Sequence, residues 1–202
     1  VVDFVEGSSA LPDDRDGALD QLAEQLAALH ALDAEGLGLS FLPAWSARAA
    51  RKLAAPPAHL DYVPSKGRIR RALKGVWATF QRDATAPLHG DFWPGNVLWR
   101  GGRLAAVIDW EDAALGDPLA DLANARLEML WACGPNGMER LTAAYLARAG
   151  VDAGALAAWD LCAALKPAGA LGDWGLDEPT EARMRAQHAD FVAQALARLG
   201  GA

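Results

Sequence analysis

The chain has 202 residues, 52% hydrophobic and 22% charged, which suits one domain of good size or two small ones. The net charge is −7 and no basic stripe is present, which argues against a nucleic-acid binder. No run approaches a membrane span, no secretory leader is read at the start, and Cys133 and Cys162 lie far apart in helical patterns. They read as buried thiols of a cytoplasmic protein rather than as a disulfide framework or a metal site. The acidic excess would suit a cationic substrate and is equally ordinary for a soluble protein. Alanine and leucine dominate while Tyr, Thr, Ile and Phe are scarce, so helix should outweigh strand.

Val1 to Gly7 (VVDFVEG) is β-branched and aromatic and reads as a strand, taken alone an edge strand. Its backbone groups need partners. Residues 8–14 are polar and read as a loop. Asp14 or Asp16 caps a helix to about His30, with Leu19, Leu22, Leu26 and Leu29 on one face. His30 suits the negative end of that helix. Residues 32–42 carry Gly36 and Gly38 and read as loop. Residues 43–55 read as a short helix bearing Arg48, Arg51 and Lys52, ended by Pro56-Pro57. Residues 65–82 form the next helix, whose face of Ile69, Leu73, Val76, Trp77 and Phe80 is core and is expected to support the loop that follows.

That loop is Leu88-His89-Gly90-Asp91-Phe92-Trp93-Pro94-Gly95-Asn96. Two apolar runs, Asn96–Trp99 and Leu104–Ile108, flank Arg100-Gly101-Gly102-Arg103, which reads as a β-hairpin on a Gly-Gly turn. Asp91 and Asn96 then enter the hairpin and Asp109 leaves it, so the three side chains should converge. Asn96 and Asp109 offer oxygen ligands of the kind Mg²⁺ takes, and Asp91 is a spare carboxylate able to accept a proton. Gly90 and Gly95 are expected to permit backbone conformations that other residues resist.

After Asp109 the chain reads as wholly helical. Asp117 caps a helix with Pro118 first, ending near Trp131 and broken at Gly134-Pro135-Asn136-Gly137. A second helix spans 138–149. Asp152 is expected to cap a third, running to Lys166-Pro167. Residues 169–179 are Gly-rich and acidic, and the last helix starts near Pro179-Thr180. Asp173, Trp174, Asp177 and Glu178 read either as a polar loop or as a place for a cationic acceptor, through charge and cation–π contact. Trp93 is the tryptophan placed to touch substrate.

His-Gly-Asp-x-x-x-x-Asn followed by Ile108-Asp109-Trp110 resembles the aminoglycoside phosphotransferase and choline kinase-like family, most closely over residues 88–124. The resemblance implies a kinase-like C-terminal lobe, mainly α with a small β-hairpin, over residues 8–202, with the catalytic loop and metal site at 88–121. It implies ATP- and Mg²⁺-dependent phosphorylation of a hydroxyl on a small molecule. Asp91 would act as base, and Asn96 and Asp109 would hold Mg²⁺ and, through it, the nucleotide. His89 would fix the loop from within. Asp121 would either reach back to loop backbone groups or stand as a solvated helix acid. Residues 1–7 resemble the hinge that joins two lobes, with Phe4 and Val5 beside adenine. The N-terminal lobe, with its Gly-rich cover and Lys, is then expected upstream, and this chain alone is expected to turn over poorly. Only seven residues separate Asp109 from Asp117. A protein kinase has a long activation segment there, so the acceptor should be a small molecule. The alternative is a non-catalytic kinase-like module that binds a ligand or partner.

Overall fold

The computed structural model describes residues 4–54, 64–80, 86–168 and 170–200. Helices α1 (Arg15–His30), α2 (Trp45–Ala54), α3 (Pro64–Phe80), α4 (Pro118–Ala149), α5 (Leu156–Leu165) and α6 (Glu178–Gly200) carry most of them. The strands are short: β1 (Ala86–Leu88), β2 (Val97–Arg100), β3 (Arg103–Val107) and β4 (Ala114–Gly116). The class is the expected one, mainly α with a small hairpin.

The helices form where one face is apolar. Leu19, Leu22 and Leu26 of α1 are buried against Leu119, Leu122, Leu127 and Leu141 of α4. Asp14 caps α1 by accepting from the Gly17 N–H at 3.0 Å. Ile69 and Leu73 of α3 are fully buried. That helix packs chiefly on α5 and α6, whereas α1 and α4 back β1. Helices α1 and α4 thus back the strand that leads into the loop, while Ile69 and Leu73 of α3 share the core cluster with Leu88 and Phe92.

The break expected at Gly134-Pro135 is present: Gly134, with φ 74° and ψ −176°, is non-helical and kinks α4 into the two expected helical halves. Pro135 has no N–H to give the carbonyl of Trp131, four residues before it. Gln187 of α6 donates to Leu130 O at 3.1 Å and Arg183 donates to Trp131 O at 3.0 Å, so α6 closes the gap. Across the kink, Arg126 forms a bidentate pair with Asp160 of α5 at 3.0 and 3.2 Å and donates to Thr142 at 2.6 Å. All three are buried, and the Phe191 ring lies 5.9 Å from the Arg126 guanidinium.

The hairpin forms as expected. Gly101 and Gly102 both have positive φ, 57° and 77°, the backbone a two-residue turn of this hand requires. A register shift after Leu98 leaves Ala105 as a bulge, with Trp99 opposite Leu104. Gln21 of α1 anchors the turn, donating to Gly102 O at 3.1 Å and accepting from Leu104 N–H at 3.0 Å.

Four expectations need correction. Residues 4–7 are not a strand. Only Ser8 pairs, exchanging backbone bonds with Trp99 at 3.0 and 2.8 Å, and Val1 to Asp3 lie outside the described residues. Residues 32–42 contain a 3-10 turn at Leu39–Phe41. Helix α5 starts at Leu156, after an Asp152 turn that accepts from Gly154 N–H at 2.9 Å, so Asp152 does not cap it. The cysteines are half-buried rather than buried, and both are free. The Pro56-Pro57 break and residues 81 and 82 lie outside the described residues.

Candidate active site

Strands β1 and β4 pair antiparallel, Ala86 with Gly116 and Leu88 with Ala114, and so bracket the loop and its hairpin. Pro87 has no N–H to offer. Leu115 opposite it donates instead to Pro43 O at 2.9 Å, which also ties the approach to α2 to this strand. Inside the bracket the loop is held from below. Asp121, 1% exposed, accepts from His89 N–H at 2.6 Å and from Gly90 N–H at 2.8 Å. His30 stands 3.4 Å from the same carboxylate and 2.7 Å from the Tyr145 hydroxyl. Of the two readings of Asp121, the geometry is that of a buried acid reaching back to loop backbone.

His89 is fully buried. Its Nε2 donates to Ile108 O at 2.9 Å and its Nδ1 accepts from Asp91 N–H at 3.3 Å, which assigns the Nε2–H tautomer. The imidazole thus spans the start of the loop and the end of the hairpin. The Trp110 ring lies against it, 4.6 Å between centroids. Gly90 has φ 83°, and a Cβ there would stand 2.2 Å from Asp112 O. Gly95 differs from the expectation. Its φ is ordinary, and a Cβ there would meet the Trp93 ring at 2.2 Å, so the ring would have to move to admit one. Trp93 is folded over Gly95 and stays 39% exposed.

At the mouth, the Asn96 amide donates to Asp91 O at 3.0 Å and faces its carboxylate at 3.4 Å. Asn96 O accepts from Ile108 N–H at 2.9 Å, which sets Asp109 beside Asn96 across the hairpin base. Asp109 is the one non-glycine residue with positive φ (65°) among the described residues, and its carboxylate is exposed. A non-glycine residue in this region carries strain, and such strain gathers at functional positions. With its Nδ2 engaged, Asn96 keeps its amide oxygen for a ligand. That oxygen with one carboxylate is the sparse, hard donor set Mg²⁺ takes beside phosphates.

Three residues at the site were not singled out from the sequence. Lys166, just past α5, forms an ion pair with Asp91. Glu128 on α4 is held up to about 7, by burial first and then by Asp91, with Lys166 opposing. Asn124 lies one turn earlier. Because folding raises the Glu128 carboxyl above its usual 4.5, the neutral form stabilises the fold. That contribution is complete below about pH 4.5 and lost as pH rises through about 7. Glu128→Gln should remove up to about 3 kcal/mol of the stability lost between these limits, read by urea unfolding on either side of them. An unchanged pH slope in the variant would show that another group titrates.

The acidic segment stands apart from this arrangement. Asp177 caps α6, accepting from Thr180 N–H at 2.9 Å, and that bond holds its carboxyl below the usual range. Trp174 lies edge-on to Trp131 at 5.8 Å, and Asp173 and Glu178 are exposed. Phe4 and Val5 are 91% and 41% exposed. A cavity of about 90 Å³ opens beside Gly90 and Lys166, between α2, α4 and α5.

The sequence pattern described as "Phosphotransferase enzyme family" matches residues 1–165. The chain belongs to this family. It is 32% identical over 116 residues to acyl-CoA dehydrogenase family member 11 of Gallus gallus, covering 54% of this chain and 15% of that protein. It is 41% identical over 49 residues to hygromycin-B 4-O-kinase of Escherichia coli, covering 24% of this chain and 14% of that one. The chain therefore spans a small part of the curated relatives it matches. Aminoglycoside phosphotransferase APH(4)-Ia shares the fold, with a TM-score of 0.67 at 24% identity, over 93% of this chain and 69% of that one. A thermostable mutant of that protein is solved as a ternary complex with ADP and hygromycin B. The kinase-like fold named by the resemblance is thus the fold observed, and among the described residues no helix is long and apolar enough to cross a membrane.

Proposed function

We propose that the chain is the acceptor- and metal-binding lobe of an ATP- and Mg²⁺-dependent kinase of small-molecule hydroxyls. The observation that carries the reading is the junction at the hairpin base, where Asn96 bonds Asp91 at 3.0 Å and Ile108 at 2.9 Å and so gathers Asp91, Asn96 and Asp109. Family membership and the nucleotide complex of the APH(4)-Ia mutant support it.

Asp91 orients the acceptor hydroxyl and takes its proton as the oxygen bonds to the γ-phosphorus and the β–γ bridge bond breaks. A weak base suffices, because phosphoryl transfer is accelerated chiefly by positioning and charge stabilisation. Asn96, through its amide oxygen, and Asp109 hold Mg²⁺, which supplies neutralisation of phosphate charge when bound. Asp121 and His89 keep the loop in place. Phe4 and Val5 are assigned to the adenine edge, and the glycine-rich cover and Lys to an N-terminal lobe.

Asp109→Asn tests the metal assignment without disturbing the backbone, since asparagine tolerates positive φ well. It should lower transfer on the order of 10²-fold and raise the Mg²⁺ concentration needed for half-maximal rate. Unaltered Mg²⁺ dependence would remove Asp109 from the metal.

A further inference from the structure

Lys166 stands at the end of α5, beside Asp91, and the backbone around it is braced. Its own N–H donates to Ala163 O at 3.1 Å. Buried His188 of α6 donates from Nε2 to Ala164 O at 2.9 Å, and burial lowers its pKa, which keeps the imidazole neutral. The braced helix end sets where the lysine stem starts. From there the ammonium reaches the Asp91 carboxylate and forms an ion pair with it.

An ammonium has three N–H donors, and Asp91 takes one of them. The others make no hydrogen bond among the described residues, and the side chain is 44% exposed. The loop from His89 to Asn96 holds no Lys or Arg of its own. Arg48, across the cavity, is engaged with the carbonyl and carboxylate of Asp112. Glu128 also faces the pair. Burial, then the Asp91 charge, hold its carboxyl up to about 7, so below that pH it competes little for Lys166.

An acceptor hydroxyl that gives its proton to Asp91 stands about 3 Å from that carboxylate. Two groups bonded to one carboxylate lie roughly 5 Å apart, so the hydroxyl is that far from the ammonium. A phosphorus approaching the hydroxyl brings its oxygens into the space between them. We propose that Lys166 is a catalytic residue of the transfer, its ammonium holding an oxygen of the γ-phosphoryl group as that group passes to the hydroxyl. This rests on the kinase reading above. The bond from the hydroxyl oxygen to phosphorus forms, the bridge bond to ADP breaks, and the hydroxyl proton goes to Asp91. As Asp91 is neutralised, Lys166 loses its anionic partner and the phosphoryl oxygen takes that place. The ammonium therefore binds the phosphoryl group more strongly in the transition state than before it, which is the condition for accelerating the step.

The test is calorimetric titration of the protein that carries this chain, with MgADP, MgADP plus aluminium fluoride, and MgAMP-PNP as probes. Aluminium fluoride beside ADP stands in for the phosphoryl group in transit, with water in the place of the acceptor. Lys166→Met should weaken the aluminium fluoride complex at least about tenfold and leave MgADP and MgAMP-PNP within about twofold of the wild type. Lys166→Arg, which keeps the charge, should hold that complex within about fivefold. A purely structural role would move all three probes together or none. Lys166→Met that binds the aluminium fluoride complex like the wild type overturns the proposal, as does an equal loss for all three probes. Tighter binding of that complex by Lys166→Met also overturns it and shows that the ion pair restrains Asp91. A wild type that binds MgADP no better with aluminium fluoride contradicts the kinase reading itself. A wild type that does so, beside an unaffected variant, contradicts only the role of Lys166.

Discussion

Asp91→Asn lowers phosphate transfer about 10³-fold while nucleotide affinity stays within about twofold of the wild type. The reason lies in what asparagine keeps and what it loses. Asn96 still donates to the residue 91 carbonyl, and His89 still accepts the residue 91 N–H, so the loop retains its shape. The carboxylate that takes the hydroxyl proton is gone, and Lys166 loses its anionic partner. The loss should therefore fall on kcat, with KM for ATP nearly unchanged. Steady-state kinetics in the protein that carries this chain decide it. Turnover within tenfold of the wild type would take Asp91 out of the base role.

Asp160→Ala should destabilise the fold by about 3–5 kcal/mol, the largest single loss expected in the molecule. It leaves Arg126, 2% exposed, charged and unpaired between α4 and α5. Thr142 alone cannot satisfy a guanidinium, and Thr142 already donates to Met138 O at 2.7 Å. The same network spans the kink at Gly134, so its loss loosens both halves of α4 against α5. Replacing both partners by apolar residues of similar volume, as in Arg126→Met with Asp160→Leu, should recover most of the loss, because no uncompensated charge remains. Chemical denaturation measures both. A single-variant loss below about 1 kcal/mol would show that Arg126 reaches solvent or another acid.

The parts of the site legible in the sequence are those built by neighbours along the chain. The hairpin declared itself through two apolar runs flanking Gly101-Gly102, and its ends had to bring Asn96 and Asp109 together. Asp117 at the start of α4 was legible for the same reason, as a cap one residue before Pro118. What escaped notice is long-range. Strands β1 and β4 have three residues each and form only because they meet across the loop. A three-residue strand holding a proline carries no periodicity to detect. Lys166 meets Asp91 across 75 positions, and nothing local to a lysine before a proline announces an ion pair. Gly95 was read through backbone freedom, whereas its φ is ordinary and what stands over it is the Trp93 ring. The start of α5 was misplaced because Asp152, a residue type good at capping, instead closes a turn ahead of the helix.

The most direct test of the central claim is transfer of labelled γ-phosphate from ATP to an alcohol by the protein that carries this chain, with and without Mg²⁺. The account predicts an acid-stable phosphate ester of the acceptor, formed only with Mg²⁺ and lost in Asp91→Asn. Nucleotide binding with no ester formed from any acceptor would contradict it and leave a kinase-like module that binds without catalysing.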